Sequence, residues 1–385
     1  MAFDLTCTGL GRKILVDEKD VLTGYARGLL SQFTCMRMEQ AAGRDELIRR
    51  SAGSVDGIIY HTVQFCDNYA YEYAWLKEWL DRPLLLLETD YTRQSGGQVR
   101  TRIEAFLESL TAERKKPERK RKEDGTMYVM GIDSGSTSTN AVIMDQDRKI
   151  KAFSVVRTGA KSGVSADKVL HEVLEKAGLK REDISWIVST GYGRVSIEFA
   201  DENVTEISCH GNGAHYFNPN ICTILDIGGQ DSKAIKLSET GDVSDFVMND
   251  KCAAGTWRFL EMIARSLEVS LDELGAIALE SKEKIEITSM CSVFAESEVI
   301  SLIAQNKEKA DIANGVCGAI ANKAFGLLRR VGLEPDFMMT GGVAKNPGVV
   351  RAVEEKIGSK LYICEEPEIV GATGAALYAL EQMEA

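Results

Sequence analysis

The chain has 385 residues, of which 44% are hydrophobic, and a formal net charge of -12 at pH 7. This length is sufficient for two or three domains with sizeable hydrophobic cores. The acidic balance argues against a general nucleic-acid binder or a protein that binds anionic membranes, so we expect neither kind of partner.

Signals for export or membrane insertion are not evident. The N-terminus, MAFDLTCTGLGRK, lacks the basic and apolar regions of a secretory signal, and no segment reaches the roughly 18 uncharged apolar residues of a membrane span. The nine cysteines are scattered without disulfide-like spacing, which favours reduced thiols or metal ligands. We therefore expect a cytoplasmic protein.

Strands and helices alternate in residues 1–110. The apolar segments GSVDGIIYHTVQFC and RPLLLLETD are typical of buried strands, and each precedes a helical pattern, EYAWLKEWL or GQVRTRIEAFLESL. This alternation predicts a small α/β domain with a parallel sheet.

A charged segment, TAERKKPERKRKEDGT, occupies residues 111–126. Its lack of apolar side chains is typical of a solvated linker, although its Lys and Arg residues would also suit docking to an acidic partner. We take it as the boundary between a domain at residues 1–110 and a second domain at residues 127–385.

Two Gly-rich turns that carry an aspartate repeat within the second domain. MYVMGIDSGSTSTNAVIMD and NICTILDIGGQDSKAIKLS are each a hydrophobic strand, a turn and a second β-rich stretch. Glycine lets backbone N–H groups approach phosphate oxygens, and Asp133 and Asp226 are suited to hold Mg²⁺ through its waters. Neither turn has the spacing of a P-loop or a Rossmann fingerprint.

A third Gly-rich turn, MMTGGVAKNPG, is suited to accept a nucleoside. Any one of the three turns is most simply a tight connection between strands, but three in this order indicate a nucleotide site. We predict nucleotide contacts from Gly135, Ser136, Thr137, Ser138, Gly228, Gly229, Lys233, Gly341, Gly342 and Asn346.

The segment MNDKCAAGTWRFLEMIARSLEVS places Cys252 before an amphipathic helix. Leu260, Ile263, Leu267 and Leu271 recur at helical spacing, and the residues CAAGT are typical of a helix start. The unpaired N–H groups and the dipole at a helix start favour a thiolate. Taken alone, Cys252 is more simply a small packed residue.

Several motifs in residues 127–380 resemble known proteins. The three turns together resemble the phosphate and adenosine loops of the superfamily that contains actin, sugar kinases and heat-shock chaperones. STGYGR, EISCHGNGA, NDKCAAGT and MCSVFAESEVI are similar, more narrowly, to motifs of the ATPase activators of 2-hydroxyacyl-CoA dehydratases, relatives of the benzoyl-CoA reductase ATPase subunits. The resemblance implies an α/β fold with a duplicated actin-like (ribonuclease H-like) ATPase domain.

The resemblance also implies redox chemistry. In that family the cysteines that match Cys252 and Cys291 bind one 4Fe-4S cluster per homodimer, and two thiolates from each chain make the four that a cubane needs. The implied function is ATP-dependent transfer of one low-potential electron from ferredoxin or flavodoxin. The acceptor is a 2-hydroxyacyl-CoA dehydratase, an acyl-CoA reductase or a double-cubane-cluster protein.

ATP hydrolysis is assigned to the same turns. We expect Mg²⁺ near Asp133 and Asp226 to bridge phosphate oxygens, and Gln230 or Asp231 to orient the attacking water. Asparagine at Asp133 or Asp226 should abolish hydrolysis with little effect on packing, because the amide is nearly isosteric. Two other functions are compatible with the motifs: a small-molecule kinase of the same superfamily, and a non-catalytic scaffold.

Residues 1–110 resemble a second kind of protein. FDLTCTGLGRK, FTCMRM and DGIIYHTVQFCDNYAYEY are similar to the C-terminal part of the dehydratase subunits, which receive the activator's electron. In those subunits the cysteines that match Cys35 and Cys66 help to hold a cluster. Because the fragment is too short for a whole subunit, it either binds an independent cluster or is a docking or vestigial module.

Trp257 departs from the family pattern, in which glycine usually follows CAAGT. The resemblance places the indole one turn from Cys252. There it would either shield the cluster from solvent or crowd the dimer axis, and we expect shielding.

Overall fold

The computed structural model describes residues 42–64, 67–89, 96–110, 127–159, 162–249, 253–288 and 291–383. The chain divides into two compact units, Met1–Thr111 and Ala112–Ala385. None of the helices in the described ranges combines the length and the apolar composition that a bilayer crossing requires.

The smaller unit contains two parallel strands joined by a helix. Strand β1 (Ile58–Val63) pairs in parallel with β2 (Leu84–Thr89). Helix α1 (Ala42–Ala52) precedes β1, α2 (Asp67–Trp79) connects the strands and α3 (Gly96–Leu110) follows β2. Parallel strands need a crossover connection, and the alternating pattern predicted this arrangement correctly.

The larger unit contains two five-stranded sheets. The first has the spatial order β5-β4-β3-β6-β7 and consists of β3 (Tyr128–Ser134), β4 (Ser138–Asp145), β5 (Ile150–Arg157), β6 (Ile184–Thr190) and β7 (Glu202–Asn203). The second has the order β10-β9-β8-β11-β12 and consists of β8 (Thr223–Ile227), β9 (Ser232–Leu237), β10 (Val243–Asn249), β11 (Phe337–Thr340) and β12 (Leu361–Tyr362).

The two sheets have the same topology. In each, the first three strands form an antiparallel meander, and the last two are parallel to the first strand. The repeat that the two aspartate-bearing turns predict is therefore confirmed.

Helices cover both faces of the first sheet. Helix α4 (Ser162–Ala177) packs on one face, against Ile132 and Ile143. On the other face the core includes Val142 and the helix that ends the described chain, α11 (Val370–Met383). Strands buried on both faces need nearly continuous apolar side chains, which accounts for the hydrophobic runs in β3 and β4.

A single core joins the second sheet to five helices. Helix α5 (Glu206–Phe217) connects the two halves of the larger unit. The helices of the second core are α6 (Trp257–Ser266), α7 (Leu271–Ala278), α8 (Ser292–Ala304), α9 (Lys309–Val331) and α10 (Pro347–Ile357).

The helix predicted after Cys252 is divided in two. Leu260 is buried in α6 as expected, but Leu271 begins α7. The division occurs because Ser270 caps α7: its hydroxyl accepts the N–H of Glu273, whose carboxylate accepts the N–H of Ser270.

Candidate functional site

The two aspartate-bearing turns have the same backbone geometry. In the first turn the N–H of Gly135 donates to the carbonyl oxygen of Ser138, with 3.0 Å between nitrogen and oxygen. In the second turn the N–H of Gly228 donates to the carbonyl oxygen of Asp231, also at 3.0 Å. Each turn thus continues directly from the strand that carries its predicted catalytic aspartate.

The two turns lie against each other. A Cβ atom on Gly229 would overlap the hydroxyl group of Thr137 and would lie 2.8 Å from Ser136 Oγ. Glycine is required at this position because the two chain segments approach too closely for a side chain. The structure therefore brings together the two segments that are predicted to hold phosphate.

Asp226 is surrounded by hydrogen-bond donors. Its Oδ1 accepts from the Thr340 hydroxyl at 2.9 Å and lies 3.3 Å from His210 Nε2. Its Oδ2 lies 3.1 Å from Lys233 Nζ, and Lys233 also forms an ion pair with Asp231. Burial opposes ionisation, but the charges and hydrogen bonds of His210 and Lys233 outweigh it and hold the pKa of Asp226 well below its ordinary value.

His210 is a buried cation. Its Nδ1 lies 2.9 Å from the carbonyl oxygen of Glu206 and its Nε2 faces Asp226, so both nitrogens face acceptors and both carry protons. Burial lowers the pKa of His210, but the carboxylates of Asp226 and Asp133 outweigh burial and raise it to about 9. Glu206 in turn pairs with buried Arg194 at 3.2 Å, so the charge network continues into STGYGR.

The negative charge of Asp133 is less well compensated by neighbouring groups than that of Asp226. Its side chain is buried, and burial raises its pKa from 3.8 to about 6, while the charge of His210 partly opposes the increase. No Lys or Arg in the described ranges forms an ion pair with this carboxylate. Asp133 therefore exchanges a proton closer to neutral pH than Asp226 does.

Three buried hydroxyl groups around the first turn have no hydrogen-bond partner within the described structure: Ser134 Oγ, Thr137 Oγ1 and Thr190 Oγ1. Thr190 lies opposite Asp133 in the ladder between β3 and β6. Buried polar groups are nearly always satisfied, so unpaired hydroxyls at one turn indicate a ligand that supplies their partners. Phosphate oxygens and the waters of Mg²⁺ both fit this requirement.

The third Gly-rich turn packs against the end of β8. A Cβ atom on Gly341 would lie 2.9 Å from Asp226 Oδ1. Asn346 Oδ1 accepts the N–H of Val349 at 3.0 Å and caps α10. Asn346 Nδ2 is buried with no partner among the residues described, so it offers one donor to a ligand at this turn.

Helix α6 is attached to the second turn through its first residues. The backbone N–H of Trp257 donates to the carbonyl oxygen of Gly228 at 3.1 Å, and that of Arg258 donates to Gly229 at 3.2 Å. Cys252 lies outside the described residues, so the expectation that Trp257 covers a cluster remains a prediction. The start of α6 nevertheless has a direct connection to the turn predicted to hold phosphate.

Cys291 is exposed and is the N-cap residue of α8, which packs against α6. Cys35 and Cys66, like Cys252, lie outside the described residues. Within those residues, no group of three or more His, Cys, Asp or Glu side chains is arranged to hold a metal ion. A cluster at Cys291 therefore needs ligands from beyond the described part of this chain.

The other described cysteines occupy different environments. Cys209, Cys317 and Cys364 are buried, and Cys222 is half-buried. Burial raises the pKa of Cys317 to about 12 and that of Cys364 to about 11. These two thiols are therefore protonated packing residues rather than ligands.

Several buried groups of the site were not identified from the sequence, among them Thr190, Arg194, Glu206 and His210. These four lie in STGYGR and EISCHGNGA, and His210 meets Asp226 in a different segment of the chain. One signal was available, because Thr190-Gly191 follows β6 as Thr340-Gly341 follows β11. Both glycines have a positive φ, 84° and 82°.

Comparison with protein families finds two matches in this chain. The sequence model of the BadF/BadG/BcrA/BcrD ATPase family matches residues 130–379. The model of the 2-hydroxyglutaryl-CoA dehydratase D-component matches residues 1–110.

Individual relatives align with the larger unit. The activator of lactoyl-CoA dehydratase from Anaerotignum propionicum is 48% identical over 255 residues, which are 66% of this chain and 98% of that protein. The (R)-2-hydroxyglutaryl-CoA dehydratase activating ATPase from Acidaminococcus fermentans is 44% identical over 258 residues, 67% of this chain and 98% of that protein.

A solved structure shows the same fold. The activator of the 2-hydroxyisocaproyl-CoA dehydratase from Clostridium difficile, with bound ADPNP, superimposes with a TM-score of 0.65 at 43% identity. The match covers 67% of this chain and 96% of that one. The larger unit therefore has the duplicated actin-like ATPase fold.

Proposed function

The chain belongs to the BadF/BadG/BcrA/BcrD ATPase family, and we propose that it couples ATP hydrolysis to the transfer of one electron. Reduced ferredoxin or flavodoxin is oxidised by one electron, and an iron-sulfur acceptor protein is reduced by it. ATP and water become ADP and phosphate in the same cycle. The relatives named as activators of acyl-CoA dehydratases support a dehydratase or a related reductase as the acceptor.

The attachment of α6 to the second turn is the observation that carries this proposal. The N–H groups of Trp257 and Arg258 donate to the carbonyl oxygens of that turn. Any difference between the ATP and ADP states at the turn is therefore transmitted to the start of the helix that Cys252 precedes. ATP can change the dimer only through its different affinity for two conformations, and we propose this connection as the route by which nucleotide binding at the turn acts on α6.

Cys252 and Cys291 are the proposed cluster ligands, two from each chain of a homodimer. The exposed position of Cys291 at a helix N-cap suits a ligand shared across a twofold axis. Helix dipoles directed at a cubane offset the negative charge of a reduced cluster with four thiolates. The cluster, when bound, supplies the one-electron carrier.

The nucleotide is proposed to lie at the three Gly-rich turns with Mg²⁺. Asp226 would act on the metal ion through water, because His210, Thr340 and Lys233 already engage its oxygens. Asp133 and the unpaired hydroxyls of the first turn would hold the remaining waters and phosphate oxygens. Gln230 or Asp231 of the second turn would orient the attacking water.

The domain at residues 1–110 is proposed to be a dehydratase-subunit-like module, separated by the linker 111–126 from the ATPase domain 127–385. Its match to the dehydratase D-component supports a role in docking to the acceptor. Whether it holds a cluster of its own depends on Cys35 and Cys66. We propose a cytoplasmic location, where the proposed donors, ferredoxin or flavodoxin, would be available.

The experiment that tests the proposal is iron analysis of anaerobically purified protein. We expect about four iron atoms per dimer from one shared cubane. Cys252→Ser and Cys291→Ser should each remove the iron, while Cys222→Ser, a matched control at a half-buried cysteine, should retain it. Reduced cluster should then be oxidised by an acceptor dehydratase only when ATP is present.

Two results would contradict this proposal. Full iron content in both cysteine variants would exclude the shared site. An iron-free protein that hydrolyses ATP only with an added alcohol or acid acceptor would instead be a small-molecule kinase. Iron well above four per dimer would leave the shared site intact and add a cluster at Cys35 and Cys66.

A further inference from the structure

The indole of Trp257 lies against the third Gly-rich turn. A Cβ atom on Gly342 would lie 3.1 Å from Trp257 Cε3 and 3.3 Å from Cζ3, so the ring occupies the space that a side chain there would need. The side chain is half-buried and contributes to the edge of the second core. The ring is thus packed between the third turn and the edge of the core, and the residue keeps part of its surface accessible.

The orientation of the ring is fixed by a hydrogen bond. Trp257 Nε1 donates to Glu261 Oε1 at 3.1 Å, one helical turn further along α6. The same carboxylate oxygen lies 3.4 Å from Arg157 Nη1, at the end of β5 in the first sheet. A ring that is held at its edge and on one face has few orientations left.

Trp257 is thereby connected to all three turns. Its backbone N–H donates to Gly228 of the second turn, and its ring packs on Gly342 of the third. Its hydrogen-bond partner Glu261 also pairs with Arg157, the last residue of β5. The next residue, Thr158, donates through its hydroxyl to the carbonyl oxygen of Gly135 in the first turn. The contact with the third turn is made by the six-membered part of the indole ring, and the route to the first turn begins at the indole Nε1.

We propose that Trp257 is a nucleotide-binding residue whose indole stacks on the base of the bound nucleotide. The proposal rests on the placement of the nucleotide at the three turns under Proposed function. The phosphates then lie at the first and second turns, and the nucleoside lies at the third, where the indole is. Every nucleobase has a π face, and stacking on a fixed aromatic ring is favourable.

The proposal assigns Trp257 to the nucleoside and not to the phosphates, so the experiment measures the binding of the two parts separately. ADP and inorganic tripolyphosphate are titrated into the full-length protein by calorimetry, with tryptophan fluorescence recorded in parallel. We expect ADP, but not tripolyphosphate, to change the tryptophan fluorescence of the unchanged protein, and we expect this change to be absent in Trp257→Phe. In Trp257→Gly we expect about tenfold weaker ADP binding and unchanged tripolyphosphate binding, and in Trp257→Phe a smaller loss.

Arg265→Gly is the matched control. It introduces the same glycine at an exposed position about two turns further along α6, away from the second turn, and leaves the indole in place. Its ADP affinity should therefore remain close to that of the unchanged protein. An equal loss in both glycine variants would assign the effect to helix propensity and would overturn the proposal.

Other outcomes are equally decisive. Equal losses of ADP and tripolyphosphate affinity in Trp257→Gly would make the indole a support for the turns, and no loss of either would remove it from the site. If Trp257→Gly bleaches a cluster faster in air and leaves ADP affinity unchanged, the indole shields the cluster and does not stack on the nucleotide. If the unchanged protein binds neither ligand, the nucleotide site itself fails, and that result is distinct from all of these.

Discussion

The two halves of the larger unit place the same residue types in the same register and give them different chemistry. Asp133 lies opposite Thr190 in the first sheet, and Asp226 lies opposite Thr340 in the second. The Thr340 hydroxyl donates to Asp226, whereas the Thr190 hydroxyl has no partner in the described structure. The threonine opposite the aspartate thus has its hydrogen bond in the second half, whereas the corresponding hydroxyl in the first half is left for a ligand.

The two aspartates also differ in the residue that lies opposite each of them on the neighbouring antiparallel strand. This residue contributes to the difference between their pKa values. Lys233 lies opposite Asp226, and Asn140 lies opposite Asp133. The lysine helps to hold the pKa of Asp226 down, whereas neutral Asn140 donates to the carbonyl oxygen of Glu368 at 2.8 Å. Two carboxyl groups with pKa values pushed apart are suited to different roles, one a fixed charge and the other a group that exchanges protons.

The largest effect is expected when each aspartate is replaced by asparagine, because the two variants should differ in stability. Asp226→Asn leaves buried His210 without its carboxylate partner and Lys233 with Asp231 alone, and breaking a buried pair in this way costs about 3–5 kcal/mol. Asp133→Asn removes a carboxylate that burial disfavours and should not destabilise the protein at pH 7. Both should abolish ATP hydrolysis. Urea unfolding and ATPase assays measure the two effects.

This contrast revises the expectation that either amide disturbs packing little. We keep this prediction for Asp133, which has no lysine or arginine ion pair among the described residues. For Asp226, whose partners are buried charges, we now predict a loss of stability. Equal unfolding free energies in the two variants would show that the halves do not differ as the geometry indicates.

The second largest effect is expected in the pH dependence of stability, in which Asp133 should differ from Asp226. Its pKa is higher in the folded protein, about 6 against 3.8, so the protonated carboxyl favours folding. The stabilising contribution is complete below pH 3.8 and is lost as the pH rises through about 6, a change on the order of 3 kcal/mol. Urea unfolding at several pH values should show this loss in the unchanged protein and not in Asp133→Asn. Parallel pH profiles would contradict it.

Removing the charge of His210 should have a smaller effect. His210→Gln keeps one donor toward Asp226 but no positive charge, and we expect a loss of about 1–3 kcal/mol in the free energy of unfolding. Because the charge of His210 lowers the pKa of Asp133, that pKa should rise in the variant. The acid limb of the pH profile for ATP hydrolysis should therefore move to higher pH.

A second pH window provides the control for His210. Its pKa is raised from 6.5 to about 9 in the folded protein, so its stabilising contribution is present below pH 6.5 and lost as the pH rises through 9. The Gln variant should lack this alkaline loss. An acid limb that stays in place, or moves to lower pH, would show that His210 does not influence Asp133.

The smallest effect is expected where the two halves meet at the surface. Arg157 pairs with Glu261 across the halves, and its side chain is 80% exposed. Arg157→Ala should reduce stability by less than about 1 kcal/mol and slow ATP hydrolysis by no more than about fivefold. Lys168→Ala, which removes the exposed pair with Glu172 within α4, is the control and should leave hydrolysis unchanged. Equal ATPase rates in both variants would show that the pair between the halves has no role in the cycle.

The sequence alone determined the alternation in the smaller unit, the duplicated strand and turn pattern, and the helix start after Cys252. These features are local, because buried strands need apolar runs and tight turns need glycine within a few residues. The residues of the three Gly-rich turns were assigned to one site on the same basis. The structure places those turns in contact.

Only the tertiary structure decided which charges meet at that site. Thr340 donates to Asp226 across a separation of 114 residues, and His210 reaches it from a different element, helix α5. Hydrophobic periodicity shows which face of an element is buried but not which polar group will lie opposite it. The pKa of Asp133 and the position of the Trp257 ring likewise depend on burial and on neighbours that the folded chain brings together, because desolvation and charge interactions act through space rather than along the sequence.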